Sequence, residues 1–399
     1  MAQDFISMNE RINRRSGHIA VVYGDWMIVW GGYVDHEQQT STSQIHTHYH
    51  HTDELWIYNC LTEVWERILT KGDIPHRNSG SCGLLHEDFL YIFGGFHGMD
   101  NAGSVNGNSN YLFRLDLTTM TWEWLHPTGN QPAPCDKLAG WVYDDKLYFF
   151  GGFGPQPEFG VPFQHVIDPS TEPSGWPRGW NNQLVVYNPV NNSWEWPKVQ
   201  GPTPSPRAAH AADISGHKVY VFGGRIGNTR NNDLHCLDMD SMMWSGNLTH
   251  PFELNPEGRS WHSLTFITDT RAIVYGGLNQ YNIVLSDCWL LDVASKTRWY
   301  RFPYQRSKPR LWHKAQYVPT CGELLIVGGH RANILDHTEC IMTAGCSLCT
   351  VRAWTTNGRN LSCRTTTVSH AAATLHVCSQ QRANFSFTRV PPNRFMRRG

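Results

Sequence analysis

Six short apolar runs recur along the chain, and each ends in a Gly-Gly pair. The runs are Trp26-Met-Ile-Val-Trp30, Leu90-Tyr-Ile-Phe93, Leu147-Tyr-Phe-Phe150, Val219-Tyr-Val-Phe222, Ala272-Ile-Val-Tyr275 and Leu324-Leu-Ile-Val327. They are four or five residues long and rich in β-branched and aromatic side chains, which predicts buried strands. The pairs at 31–32, 94–95, 151–152, 223–224, 276–277 and 328–329 are spaced by 63, 57, 72, 53 and 52 residues. A glycine pair after a strand allows close backbone approach and positive φ. Downstream of the first five pairs comes a further apolar run and then a tryptophan, at Trp65, Trp122, Trp194, Trp244 and Trp299.

A second signature precedes most of the runs. It is Arg15-Ser-Gly-His18, Arg207-Ala-Ala-His210, Arg259-Ser-Trp-His262 and Arg310-Leu-Trp-His313, with degenerate versions read at Asn78-Ser-Gly-Ser81 and Lys137-Leu-Ala-Gly140. Its recurrence assigns the Arg and His residues to the framework. Units of about fifty residues with this make-up are blades of a radial β-structure. Six of them predict an all-β, six-bladed propeller over residues 15–342, preceded by a segment 1–14. The extra length of the first three units lies in Asp35–Asp53, Phe96–Asn110 and Gly154–Asn181, insertions that gather on one face of such a fold. The sixth unit loses its pattern after Arg331-Ala-Asn-Ile-Leu-Asp336.

Composition changes the picture at the C-terminus. Residues 343–399 hold eight Arg and no Lys, Asp or Glu, which leaves 25 basic against 34 acidic residues in the rest. The tail has no periodicity and is read as disordered. The acidic body argues against a nucleic-acid surface. No apolar run of about 20 residues is present to span a membrane. Met1–Met8 carries no basic region leading into an apolar one, so a cytoplasmic or nuclear location with reduced cysteines is expected. No cofactor is expected. Cys346-x-x-Cys349 has no second CxxC pair, so no zinc site is assigned, and the His46–His51 cluster is read as a solvated loop. P-loop, nucleophile-elbow and zincin motifs are absent.

Arg225 is the exception within its own repeat. The position after Gly-Gly carries Tyr33, Phe96, Phe153, Leu278 and His330 in the other blades. Together with Arg230 it places two guanidinium groups at the open face, near the axis. Two arginines in a concave site need an anion, either a ligand carboxylate or phosphate or an internal partner such as Asp233. Tyr33, Phe153, Trp180 and Trp261 are placed around the same mouth, as aromatic walls of a ligand site or as blade packing.

At these residues the sequence resembles the kelch domain-containing protein 1/2 family. The resemblance spans about residues 15–335 and is carried by Trp30-Gly-Gly-Tyr33, Glu54-Leu-Trp-Ile-Tyr-Asn59, Asp136-Lys-Leu138, Arg178-Gly-Trp-Asn181, Pro204-Ser-Pro-Arg-Ala-Ala-His210, Asn232-Asp-Leu-His235, Gly258-Arg-Ser-Trp-His-Ser-Leu264 and Pro309-Arg-Leu-Trp-His313. It implies a non-catalytic substrate receptor of a cullin-RING ubiquitin ligase that captures proteins by a C-terminal glycine. It implies a carboxylate grip by Arg225, Arg230 and Ser260, a pocket lysine at Lys137, and walls at Trp180, Trp261 and Tyr33. The family's pocket tyrosine falls on Phe153, which removes one hydroxyl. Elongin B/C and a cullin are the implied ligase partners, but no Leu-rich amphipathic box for them is legible after residue 336. The other reading is a kelch interaction scaffold whose two arginines bind an internal acidic motif. The chain itself ends Arg397-Arg398-Gly399, so its own terminus is a candidate occupant of the pocket. Removal of Gly399 should then raise peptide affinity.

Overall fold

The computed structural model describes residues 12–38, 44–97, 107–158, 160–302, 309–331, 349–352 and 362–364. Six antiparallel meanders of four strands each make up almost all of it. The first runs Ile19–Tyr23, Trp26–Trp30, Glu54–Asn59, Val64–Leu69, and the pattern repeats in the following five. The six predicted runs are all second strands. Turn chemistry closes the hairpins: Asp144 and Asp145, at φ 48° and 55°, make the two-residue link between Ala139–Tyr143 and Lys146–Pro155. Among the described residues the single helical piece is a 3-10 turn, Pro169–Ser174, capped by the Asp168 side chain.

The repeated tryptophans join neighbouring blades. Trp122 meets Trp30, Trp194 meets Phe93, Trp244 meets Phe150 and Trp299 meets Phe222, with ring centres 4.9–5.5 Å apart. Each of these four tryptophans therefore covers the residue just before Gly-Gly in the preceding blade, while Trp65 meets Tyr58 of its own blade. Burial of such rings supplies the main apolar area between sheets.

First strands of consecutive sheets lie side by side, and the sixth lies beside the first. Two sets of backbone hydrogen bonds run around this ring. In the inner set, the third residue of each Arg-x-x-His motif donates to its counterpart in the preceding blade, through Gly80, Lys137, Ala209, Trp261 and Trp312 at 2.7–2.8 Å. Gly17 closes the circle onto Trp312 at 3.4 Å. All six residues are left-handed, with φ between 55° and 71°. In the outer set, the second glycine of each pair donates to the next blade, onto Asn78, Cys135, Arg207, Arg259, Arg310 and Arg15 at 2.8–3.0 Å.

These bonds correct the third motif. Cys135-Asp136-Lys137-Leu138 takes the slots that Arg-x-x-His takes elsewhere, two residues earlier than Lys137-Leu-Ala-Gly140. Lys137 fills the ring slot, not the arginine slot.

The second correction concerns the sixth sheet. Cys349–Arg352 pairs with Glu323–Val327, and Ser362–Arg364 pairs outside it. The propeller thus takes strands from beyond residue 342, the boundary expected from the fading repeat. The disorder expected for the rest of the tail, and docking by Gly399, fall outside the described residues. So do segment 1–11 and the paired CxxC cysteine Cys346.

Candidate functional site

Glycine pairs create the site. A Cβ on Gly224 would lie 2.8 Å from the His210 Cβ, and one on Gly223 would lie 2.7 Å from the Arg259 carbonyl. Only glycine lets the second strand end this close to the motif of its own blade and the next. The buried histidines fill the space between the pairs. Burial, then nearby arginine charge, holds His210 and His313 down to about 3, so both are neutral fillers at neutral pH. Arg207 and Arg259 are fully buried and fork onto Asp233 and Asp287 at 2.7–2.9 Å, while also donating to the Gly223 and Gly276 carbonyls. The framework reading of these arginines and histidines agrees with this geometry.

Beyond each glycine pair, the next residue bridges back to the second position of the motif: Tyr33 to Ser16, Phe96 to Ser79, Phe153 to Asp136, Arg225 to Ala208, Leu278 to Ser260 and His330 to Leu311. This circle of pairs surrounds one mouth of the axial channel. The insertions of blades one to three rise from the same face as hairpins. They are Tyr33–Gln38 with Gln44–Tyr49, Phe96–His97 with Gly107–Asn108, and the long strands Lys146–Pro155 and Arg178–Asn188.

In blade four the chain turns back at once. Arg225–Ile226 pairs with Thr229–Arg230 through a two-residue turn that has Gly227 at φ 55°. That register sets Arg225 directly opposite Arg230. Like charges directly opposite each other on a strand pair are destabilising. Arg230 is 7% exposed, and burial followed by the Arg225 charge pushes its pKa down to about 10. Its Nε donates to Ser260 Oγ at 3.1 Å, and its backbone N–H donates to Gln280. Arg225 Nε donates to the Gly227 carbonyl at 2.7 Å, with its guanidinium carbon 5.8 Å from the Trp180 ring centre. Neither arginine meets a carboxylate among the described residues. Asp233, the internal partner considered from sequence, is held by Arg207 and His235.

The other expected residues connect to this pair through rings. Trp180 meets Phe153 edge to face at 5.2 Å. The Lys137 ammonium is paired with Asp136 and lies 5.6 Å from the centres of both Phe153 and Trp312. Trp312 stacks on Trp261 at 5.6 Å and meets Tyr33 at 5.5 Å. These contacts join all eight residues, Tyr33, Lys137, Phe153, Trp180, Arg225, Arg230, Ser260 and Trp261, into one connected group through Trp312, with Ser260 fully buried within it.

Trp312 is the wall residue that the sequence reading passed over. Its signal was present, since Arg310-Leu-Trp-His313 repeats Arg259-Ser-Trp-His262 with tryptophan in the ring slot. Arg178, which the sequence reading did not single out, is stacked beside this group, 4.9 and 5.0 Å from the Phe96 and Phe153 ring centres. Chemically, the arrangement can hold one carboxylate between two guanidinium groups and a hydroxyl, against aromatic walls. No group of three His, Cys, Asp or Glu among the described residues could hold a metal ion.

Comparison with known proteins places this architecture. The model of the KLHDC2/KLHL20/DRC7 Kelch-repeats domain matches residues 17–172 and 174–329. Kelch domain-containing protein 2 of Bos taurus is 40% identical over 332 residues, covering 81% of this chain and 77% of the relative. Kelch domain-containing protein 1 of Mus musculus is 39% identical over 334 residues, with 80% and 77% covered. The chain belongs to the kelch domain-containing protein 1/2 family. Kelch repeats are generally non-catalytic units of protein interaction, and that role comes with family membership. Among the described residues, no helix is long and apolar enough to cross a membrane.

Proposed function

We propose that this kelch propeller binds the C-termini of proteins that end in glycine and serves as a substrate-recognition subunit of a cullin-RING ubiquitin ligase. The observation that carries the reading is the cross-strand pair Arg225–Arg230, joined to Ser260 and left without a carboxylate among the described residues. A terminal carboxylate is an anion that no internal segment possesses, so two forked donors and a hydroxyl distinguish an end from a middle. Trp180 and Trp261, both buried against other rings, favour glycine as the last residue by leaving little room for a Cβ.

Binding of a fluorescent peptide ending in Gly-Gly to the full chain tests this reading. The free acid should bind, and the amidated peptide and the Arg225→Ala/Arg230→Ala variant should lose at least about 100-fold, the scale of two charge-assisted contacts. Equal binding of the amide would overturn end recognition and favour the internal acidic motif. Capture of elongin B/C and a cullin by the purified chain tests the ligase half. Failure there, with peptide binding intact, would leave an end-binding scaffold.

A further inference from the structure

Among the described residues, Arg225, Arg230, Lys137 and Arg178 all reach the ring of aromatic side chains at the mouth or its arginine pair, and the carboxylate grip explains the first two. Lys137 is held by Asp136. Arg178 is left over. It enters from the strand Arg178–Asn188, two residues before Trp180. Its guanidinium sits between Phe96 and Phe153, the residues that follow Gly-Gly in blades two and three. Stacking occupies the flat faces of a guanidinium and leaves its N–H edge for a planar acceptor. No carboxylate among the described residues takes that edge, and Nε is buried without a hydrogen-bond partner. The nearby acids are engaged elsewhere. Asp136 binds Lys137 and Asn108, Asp168 caps Ser170, and Asp35 accepts from Thr47.

We propose that Arg178 is a second subsite, which reads an Asp or Glu side chain upstream of the terminal glycine. The proposal rests on Arg225 and Arg230 holding the terminal carboxylate. The path from one guanidinium to the other runs from Arg225 to Trp180 (5.8 Å), Trp180 to Phe153 (5.2 Å) and Phe153 to Arg178 (5.0 Å). An extended peptide advances about 3.3–3.6 Å per residue, so the acid falls about three to five residues before the end. The aromatic wall between the two subsites gives that stretch of peptide a surface to lie on. The preferred partners are thus proteins whose C-terminal segment is acidic just ahead of its glycine.

The test is a set of fluorescent decapeptides ending in Gly-Gly, with one Glu moved through positions three to six from the end and Gln as the matched control. Binding is measured on the full chain and on Arg178→Met, which keeps an unbranched apolar stem between the two rings. One Glu position should bind about 5- to 10-fold tighter than its Gln control, the range for a charge-assisted contact on a partly exposed arginine. Arg178→Met should erase that advantage and leave the Gln peptides within about twofold. High salt on the wild-type chain should shrink the Glu advantage more than it weakens the Gln peptides, a reading that needs no variant. Equal Glu and Gln binding at every position, or a preference that survives Arg178→Met, would overturn the subsite while end recognition stands. Amide peptides binding as well as free acids would remove the reading beneath it, and the subsite with it.

Discussion

Arg230 keeps its charge against two penalties, burial and the arginine across the strand pair, yet a pKa near 10 leaves it cationic at neutral pH. Ser260 is the one side chain that its guanidinium hydrogen-bonds among the described residues, so position 260 is where the grip can be adjusted. Ser260→Ala removes one hydrogen bond to a charged group and should weaken a Gly-Gly peptide by about 10-fold. Ser260→Asp sets a carboxylate where the ligand's should go and should abolish measurable binding by calorimetry. Binding by Ser260→Asp at wild-type strength would mean that the anion sits elsewhere. At this scale the sequence was legible where a residue broke its own repeat, as Arg225 does. It misled where the repeat was faint. Blade three has neither the Arg nor the His anchor, and a slip of two residues preserves strand alternation, so nothing local exposed the misplacement of Lys137. Arg178 lies in an insertion, outside any repeat, and only the folded hairpins bring it between Phe96 and Phe153.

Glycine pair, buried arginine and buried histidine form one joint, repeated with variations around the ring. Gly224→Ala would drive a Cβ to 2.8 Å from His210 at φ 96°, while Gly216→Ala at φ 58° meets nothing within 4 Å. The first should cost several kcal/mol in urea unfolding and disturb Arg225, the next residue. The second should cost about 1–2 kcal/mol, the left-handed backbone penalty alone. The arginine arm of the joint makes a separate prediction. Arg259→Met leaves Asp287 buried without its fork and should cost about 3–5 kcal/mol, whereas adding Asp287→Leu should recover most of that loss. Equal destabilisation by the single and the double variant would show that the fork matters only as packing. The joint was readable in outline, because its residue types recur. Its direction was not, because the sequence does not show that the second glycine of each pair hydrogen-bonds to the following blade.

The whole ring responds to acid through its histidines. Burial, then arginine charge, lowers His18, His262, His210 and His313, and burial holds His50 near 3 and His97 near 4. Each pKa lies below the unfolded value of about 6.5, so the unfolded chain binds more protons and stability is lost as pH falls from about 6.5 towards 4. Asp213, raised by burial to about 6, runs the other way and offsets part of one histidine. Urea midpoints should therefore drop steeply between pH 6.5 and 4.5, and a flat profile would mean that the histidines are hydrated and protonated in the fold. Closure makes the last prediction. Among the described residues no strand is shared across the seam between sheets six and one: Gly17 to Trp312 at 3.4 Å and Gly329 to Arg15 at 2.9 Å join them. Sheet six itself depends on Cys349–Arg352 lying along Glu323–Val327. Leu324, Leu325, Ile326 and Val327 are nearly inaccessible, so ending the chain at residue 342 would turn a buried strand into an open apolar edge. The fading of the repeat after Asp336 hid this dependence, since Cys349–Arg352 and Ser362–Arg364 carry neither the apolar run nor the tryptophan that mark the third and fourth strands of the other blades. The chain cut at 342 should unfold about 5 °C or more below the full chain and aggregate on heating. The chain cut at 366 should keep the full chain's midpoint. Equal midpoints for the two truncations would show that two strands suffice for the sixth blade, and peptide binding by the 342 form would then place the whole recognition function within its first 342 residues.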